Sequence, residues 1–219
     1  HKTDALWARL EPELWALTHN PWAVLQTVSR ARLEQRLAQP EYRQLLETVL
    51  DHRRKHLSST GWFRQKYSES SLRRVAYLSM EFALSEALPI YSGGLGNVAG
   101  DQLKAACDLD VPVVGVGLLY QQGYFRQIIR ADGSQEALYP YNDPGQLPIT
   151  PVRDAAGEWV RLKFPLADYS IWLRAWHVQV GRRVLYLLDS NDPANPPATR
   201  AITSELYGGG PEVRVQKEL

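Results

Sequence analysis

The sequence predicts an α/β protein, and three observations carry that prediction. A strand-like run, Val75-Ala-Tyr-Leu-Ser-Met-Glu-Phe82, precedes the glycine-rich turn Tyr91-Ser-Gly-Gly-Leu-Gly-Asn-Val-Ala-Gly100. The turn opens a helix-like run from Asn97 to Leu109, and a second apolar run, Val111 to Tyr120, follows it. Near-continuous apolar runs mark strands covered on both faces. Strand, crossover helix and strand form a βαβ unit, which implies a parallel sheet.

Ahead of this unit, residues 4–57 have helical spacing. Leu6, Trp7 and Leu10 recur at helical intervals, and Asn20-Pro21 fits an N-cap with proline at the first helical position. Tyr42, Leu45, Leu46, Val49 and Leu50 form a further apolar stripe after Pro40. Three short helices are therefore expected before residue 60, with Trp7, Trp15 and Trp22 as core anchors. Residues 58–72 read as a polar connector.

Beyond the βαβ unit the pattern becomes antiparallel. Ala131-Asp-Gly-Ser134 is a hairpin turn signal after Tyr124-Phe-Arg-Gln-Ile-Ile-Arg130, and Ala155-Ala-Gly-Glu158 is another turn. Residues 159–164, 170–180 and 183–189 read as strands of a meander. A proline-rich loop at 191–197 and a break at Gly208-Gly-Gly-Pro211 precede a final amphipathic helix. The expected organisation is a helical segment at 1–60 and an incomplete domain at 70–219, with a β-rich insertion at about 121–190. The chain opens on His1, and its closing helix pattern has neither cap nor stop, so it is expected to be the front piece of a longer protein.

Composition narrows the function classes. With 25 basic and 24 acidic side chains, nothing favours a nucleic-acid or acidic-lipid partner. No stretch approaches the roughly 20 apolar residues of a membrane span. One cysteine, Cys107, forms no internal disulfide, which makes the cytoplasm the default compartment; its plain reading is a small buried apolar group.

The chemistry concentrates at the glycine turn. A glycine-rich turn at a helix N-terminus presents bare N–H groups and the positive end of the helix dipole to an anion. Gly93, Gly94 and Gly96 lack a Cβ, so a phosphate or sugar can press against the main chain. No Walker lysine is present, and the dinucleotide fingerprint fits only loosely through Gly94, Gly96 and Gly100. Glu81, Glu86 and Asp101 flank the turn; they suit either acid–base work or the ordering of a turn and a helix start. His52 and His56 share a helix face, but no third metal ligand is in view, so no metal is expected.

These motifs together resemble the N-terminal part of the α-glucan (glycogen, starch or maltodextrin) phosphorylases. The resemblance rests on 75–82, on Ser92-Gly-Gly-Leu-Gly-Asn-Val-Ala-Gly-Asp101, on Gly115-Val-Gly-Leu-Leu-Tyr120 and on Gly123-Tyr-Phe-Arg-Gln127. Tyr186 to Asn191 and Leu206-Tyr-Gly-Gly209 fit the bacterial branch, and the likeness spans about residues 20–219. It implies a Rossmann-like domain of a two-domain GT-B glycosyltransferase architecture with the site in the cleft. It also implies cleavage of α-1,4-glucan or maltooligosaccharide by inorganic phosphate to glucose 1-phosphate, pyridoxal phosphate as cofactor, and a homodimer. Gly93 and Gly94 match the family loop facing the cofactor and substrate phosphates, and Leu95 and Val98 match positions lining the glucosyl pocket. Glu81 matches a near-site position, and Asp101 follows the motif. Ala83 stands where animal members place a cofactor-contacting tyrosine.

The resemblance assigns no catalytic residue to this chain. The Schiff-base lysine belongs to the family's C-terminal part, and none of Lys2, Lys55, Lys66, Lys104, Lys163 and Lys217 sits in its motif. The chain alone is expected to be inactive. Two alternatives are a nucleotide-sugar-dependent glucan synthase, where a lysine usually stands in place of Ser92, and a non-catalytic glucan-binding module.

Overall fold

The computed structural model describes residues 2–166 and 169–218, so His1 and Leu219 lie outside the described residues. It divides into a helical unit, residues 1–60 with 85–87, and a sheet unit, residues 61–84 with 88–219.

Five helices occupy the helical unit where the sequence pattern suggests three: α1 (Lys2–Leu10), α2 (Pro12–Thr18), α3 (Pro21–Thr27), α4 (Arg30–Leu37) and α5 (Pro40–Ser58). The breaks between them have local causes, and those at Pro12 and Ser29 are the additional ones. Pro12, Pro21 and Pro40 each restart a helix at its first turn, where a missing N–H costs nothing. Asn20 caps α3 through its carbonyl oxygen, which accepts from Trp22 and Ala23 amides at 2.9 and 3.2 Å. Ser29 caps α4 in the same way. The unit closes around Leu6, Leu10, Val24 and Tyr42, with Trp7 and Trp15 packed against them. Trp22 is half-buried.

The sheet unit begins with a helical turn, α6 (Trp62–Lys66), inside the segment expected to be a plain connector. Then follow β1 (Val75–Leu78), α7 (Gly94–Asp108) and β2 (Val113–Leu118). β1 and β2 pair in parallel, with Val75 opposite Val113, so the predicted βαβ unit is present. β1 is not the buried strand that its apolar run suggests. It is the outer strand of the described sheet, and Val75 and Leu78 are 39% and 72% exposed. α7 starts at Gly94 and not at Asn97, because packing of Gly96, Ala99, Gly100 and Leu103 outweighs the poor helix propensity of glycine.

β3 (Arg126–Ile129) and β4 (Gln135–Leu138) form the expected hairpin, turning at Gly133 with φ of 83°. β5 (Thr150–Pro151), β6 (Arg161–Pro165), β7 (Ser170–Val180) and β8 (Arg183–Asp189) follow. β6, β7 and β8 pair antiparallel, as a meander requires. The stretch expected as a β-rich insertion, about 121–190, includes these strands, and they join the main sheet. β8 lies parallel to β2, with Val114 opposite Val184, so one mixed sheet runs β1-β2-β8-β7-β5, with β6 also on β7. Its core is built on Phe82, Leu103, Tyr120, Leu185 and Leu187. Helices α8 (Pro197–Arg200) and α9 (Pro211–Glu218) close the described chain.

One buried ion pair gives a pH-dependent expectation. Asp192 is 1% exposed and takes Arg161 Nε and Nη2 at 2.8 and 2.6 Å. Burial alone would raise its pKa. The Arg161 hydrogen bonds, the Ala194 amide and the charges of Arg161 and Arg174 outweigh burial and hold it below the usual carboxylate range. A depressed folded pKa stabilises the fold above the unfolded value near 4, and the contribution is lost as pH falls through the folded value. Urea unfolding of Asp192→Asn is expected to show lower stability at pH 7 and a shallower loss below about pH 4 than the parent sequence.

Candidate functional site

The site is assembled where the segment after β1 meets the start of α7. Ser79 Oγ donates to the Glu81 carbonyl at 2.9 Å and accepts from the Glu81 amide at 3.3 Å, a local turn that swings the Glu81 side chain inward. Glu81 is 1% exposed. Its Oε2 accepts from the Ser92 amide at 2.8 Å, and its Oε1 accepts from the Tyr207 hydroxyl. The buried carboxylate thus holds the entry to the glycine turn.

The turn's glycines divide into two kinds. A Cβ built at Gly96 would lie 2.7 Å from Tyr91 Cβ and 3.1 Å from Glu81 Oε2, and one at Gly100 would run into the Ala83 carbonyl. These two glycines allow close packing of α7 on residues 81–83, where the Ala83 amide also donates to the Gly96 carbonyl at 2.9 Å. Lys104 Nζ donates to the Ala83 carbonyl at 3.3 Å. Around Gly93 and Gly94, by contrast, a built Cβ meets nothing within 4 Å. Gly93 is the N-cap and offers no side chain to the first-turn amides. The first-turn N–H groups of α7 therefore have no side-chain cap, and the space beside the main chain at Gly93 and Gly94 is open.

Leu95 and Val98, at 54% and 56% exposure, stand one turn apart on the outer face of α7. Asp101 continues that face, exposed and 3.7 Å from Lys104. It does not join Glu81, so the paired-carboxylate arrangement is not built between these two. Glu86 is exposed in the 85–87 stretch that belongs with the helical unit. Cys107 is buried, as its plain reading requires.

Sequence reasoning missed three residues here, because each is distant in the chain. Tyr207 reaches Glu81 while its ring, 53% exposed, lines a cavity of about 100 Å³ with Tyr124, Phe125, Tyr139 and Glu205. Its pKa is raised by the Glu81 hydrogen bond first, against an opposing bond with Ser92. Tyr120 is fully buried, and its hydroxyl has no hydrogen-bond partner among the described residues. Burial, then the charges of Glu81 and Tyr207, push its pKa far upward. Lys217, 7% exposed, donates to the carbonyls of Glu205 and Gly208 at 2.6 and 3.1 Å, on either side of Tyr207. A second cavity, about 230 Å³, opens at the carboxyl ends of β1, β2 and β8, beside Ser79 and Met80. Ligands of open α/β sheets bind at this end.

Comparison with known proteins places this geometry in context. The chain is 38% identical over its whole length to a maltodextrin phosphorylase of Thermococcus litoralis, of which it covers 26%. It is 40% identical over 99% of its length to a glycogen phosphorylase of Mycobacterium tuberculosis, again covering 26% of the relative. Over its whole length the chain is similar to α-glucan phosphorylases. A glycogen phosphorylase of Aquifex aeolicus is 34% identical over 98% of the chain and is covered to 30%. The chain thus spans between a quarter and a third of the length of the relatives it matches. A family profile described as a protein of unknown function (DUF3417) matches residues 1–88. No helix among the described residues is long and apolar enough to cross a membrane.

Proposed function

We propose that this chain supplies one wall of the active site of an α-glucan phosphorylase, an enzyme that cleaves α-1,4-glucan with inorganic phosphate and releases glucose 1-phosphate. The observation that carries this reading is the open main chain at Gly93 and Gly94, at the start of a 15-residue helix and flanked by exposed Leu95 and Val98. A phosphate fits against the amides, and a glucosyl ring fits against the two apolar side chains. The relatives' names supply the reaction.

In this reading residues 70–219 contribute part of a Rossmann-like domain of a GT-B enzyme and follow, in the sequence, a helical segment at 1–60. The whole enzyme is a cytoplasmic homodimer. The residues present fit the phosphate end of pyridoxal phosphate, because the space above Gly93 and Gly94 is what a side chain would fill. When bound, that cofactor supplies a phosphate group for acid–base work. This chain's part is to hold anions at the helix start, where fixed dipoles stabilise charge without reorganising. The Schiff-base lysine lies outside this chain. Lys104 and Lys217 are engaged with main-chain carbonyls, a structural use of both ammonium groups.

The test is to incubate the full-length protein with maltooligosaccharide and inorganic phosphate. Phosphate-dependent glucose 1-phosphate is the expected product. Activity from a nucleotide-glucose donor in its place would sink the reading. The isolated chain is expected to make no product and, after borohydride, to carry no pyridoxyl mass on its lysines.

A further inference from the structure

The proposed reaction leaves Glu81 without a role, although it is the carboxylate buried deepest beside the glycine turn. Each of its oxygens has a donor, Ser92 N–H on one side and Tyr207 O–H on the other, and only 1% of the residue reaches the surface. Such a group holds its neighbours in place. A hydrogen bond to a buried charge is worth more than a neutral one, and losing one donor exposes the cost of the unpaired carboxylate.

We propose that Glu81 and Tyr207 form a positioning pair that fixes the glycine turn in its anion-accepting conformation. The chain of contacts is continuous. Lys217 Nζ ties the carbonyls of Glu205 and Gly208, which bracket Tyr207. The Leu206 amide donates to the Gln122 carbonyl at 3.1 Å, anchoring the same stretch from its other side. Tyr207, so held, donates to Glu81, and Glu81 accepts from the Ser92 amide immediately ahead of Gly93 and Gly94. Gly96 is the position that lets the carboxylate lie against α7. Tyr207 also lines the aromatic cavity with Tyr124, Phe125 and Tyr139. A ligand entering that cavity therefore touches the residue that holds the turn. Neither side chain is assigned contact with the reacting atoms.

The kinetic arm of the test rests on the phosphorylase reading; the structural arm does not. In the full-length protein, Tyr207→Phe keeps the half-exposed ring and removes only the hydroxyl. Amide hydrogen exchange in a peptide covering 86–96 is expected to quicken about tenfold, while a control peptide over 171–188 stays unchanged. In the same variant kcat for phosphorolysis is expected to fall about tenfold with the maltooligosaccharide KM within about twofold. Unchanged exchange at 86–96 would overturn the proposal whatever the kinetics. Faster exchange there in a protein that shows no phosphorolysis would uphold the positioning pair and remove the phosphorylase reading.

Discussion

Alanine at Gly100 is expected to destabilise the protein by about 2 kcal/mol, whereas alanine at Gly94 on the same helix is expected to spare the fold and damage activity. At Gly100 the added methyl meets the carbonyl of Ala83, and a backbone carbonyl cannot rotate aside as a flexible side chain can. Overpacking of this kind costs about 1–3 kcal/mol, and here the upper end applies. The better helix propensity of alanine returns roughly 1 kcal/mol. The net loss corresponds to a Tm lower by about 4–8 °C for a chain of this size, read by calorimetry or circular dichroism. At Gly94 the same methyl meets nothing within 4 Å. There the propensity gain stands alone, and stability is expected to change by less than about 1 kcal/mol. The methyl does occupy the space from which a phosphate would approach the first-turn amides. Loss of one preorganised donor contact costs on the order of a hundredfold, which is the expected fall in phosphorolysis by full-length Gly94→Ala. Full activity with a methyl at Gly94 would mean that no ligand approaches the main chain there.

The contrast between these glycines also marks where sequence reading ends. Gly93, Gly94, Gly96 and Gly100 look alike in the motif, yet two face open space and two are pressed against residues 81–91. That division depends on the turn made by Ser79 and Glu81, which no local spacing encodes. The strands β7 and β8 were legible because alternation and the Gly181-Arg182 turn are local signals. The pairing of β8 with β2 was not, since parallel partners are separated by the whole intervening chain. β1 reads as buried from its composition, and only its position at the edge of the described sheet explains its exposure. In the helical unit the apolar stripes and the helix starts at Pro21 and Pro40 are plain in the sequence, while the breaks at Pro12, which restarts α2, and at Ser29, which caps α4, are not. Glu81 was singled out for its place in a motif. Its partner Tyr207 lies 126 residues away, so the positioning role could not be read from either residue alone.

The second large effect is expected at Asp110, directly after α7 and its cap residue Leu109. This carboxylate is 4% exposed and faces three guanidinium groups. Arg64 Nε lies at 3.2 Å and Arg182 Nη1 at 3.5 Å, and Arg183 Nη2 makes the closest contact. The Gly61 amide also donates to it at 3.3 Å. The side chains of Arg182 and Arg183 are only 9% and 10% exposed, so Asp110 is the counter-ion that makes their burial tolerable. Removing one partner of a buried pair leaves an uncompensated charge, at a cost of about 3–5 kcal/mol. Asp110 also has φ of 60°, a left-handed conformation that asparagine adopts readily and alanine does not. Asp110→Asn therefore isolates the charge, and a loss of about 3 kcal/mol is expected from denaturant unfolding at neutral pH. Asp110→Ala adds the conformational penalty and is expected to lose about 1 kcal/mol more. A loss under about 1 kcal/mol for Asp110→Asn would show that solvent compensates Arg182 and Arg183. The connection between α7 and β2 would then be held by packing and not by this cluster.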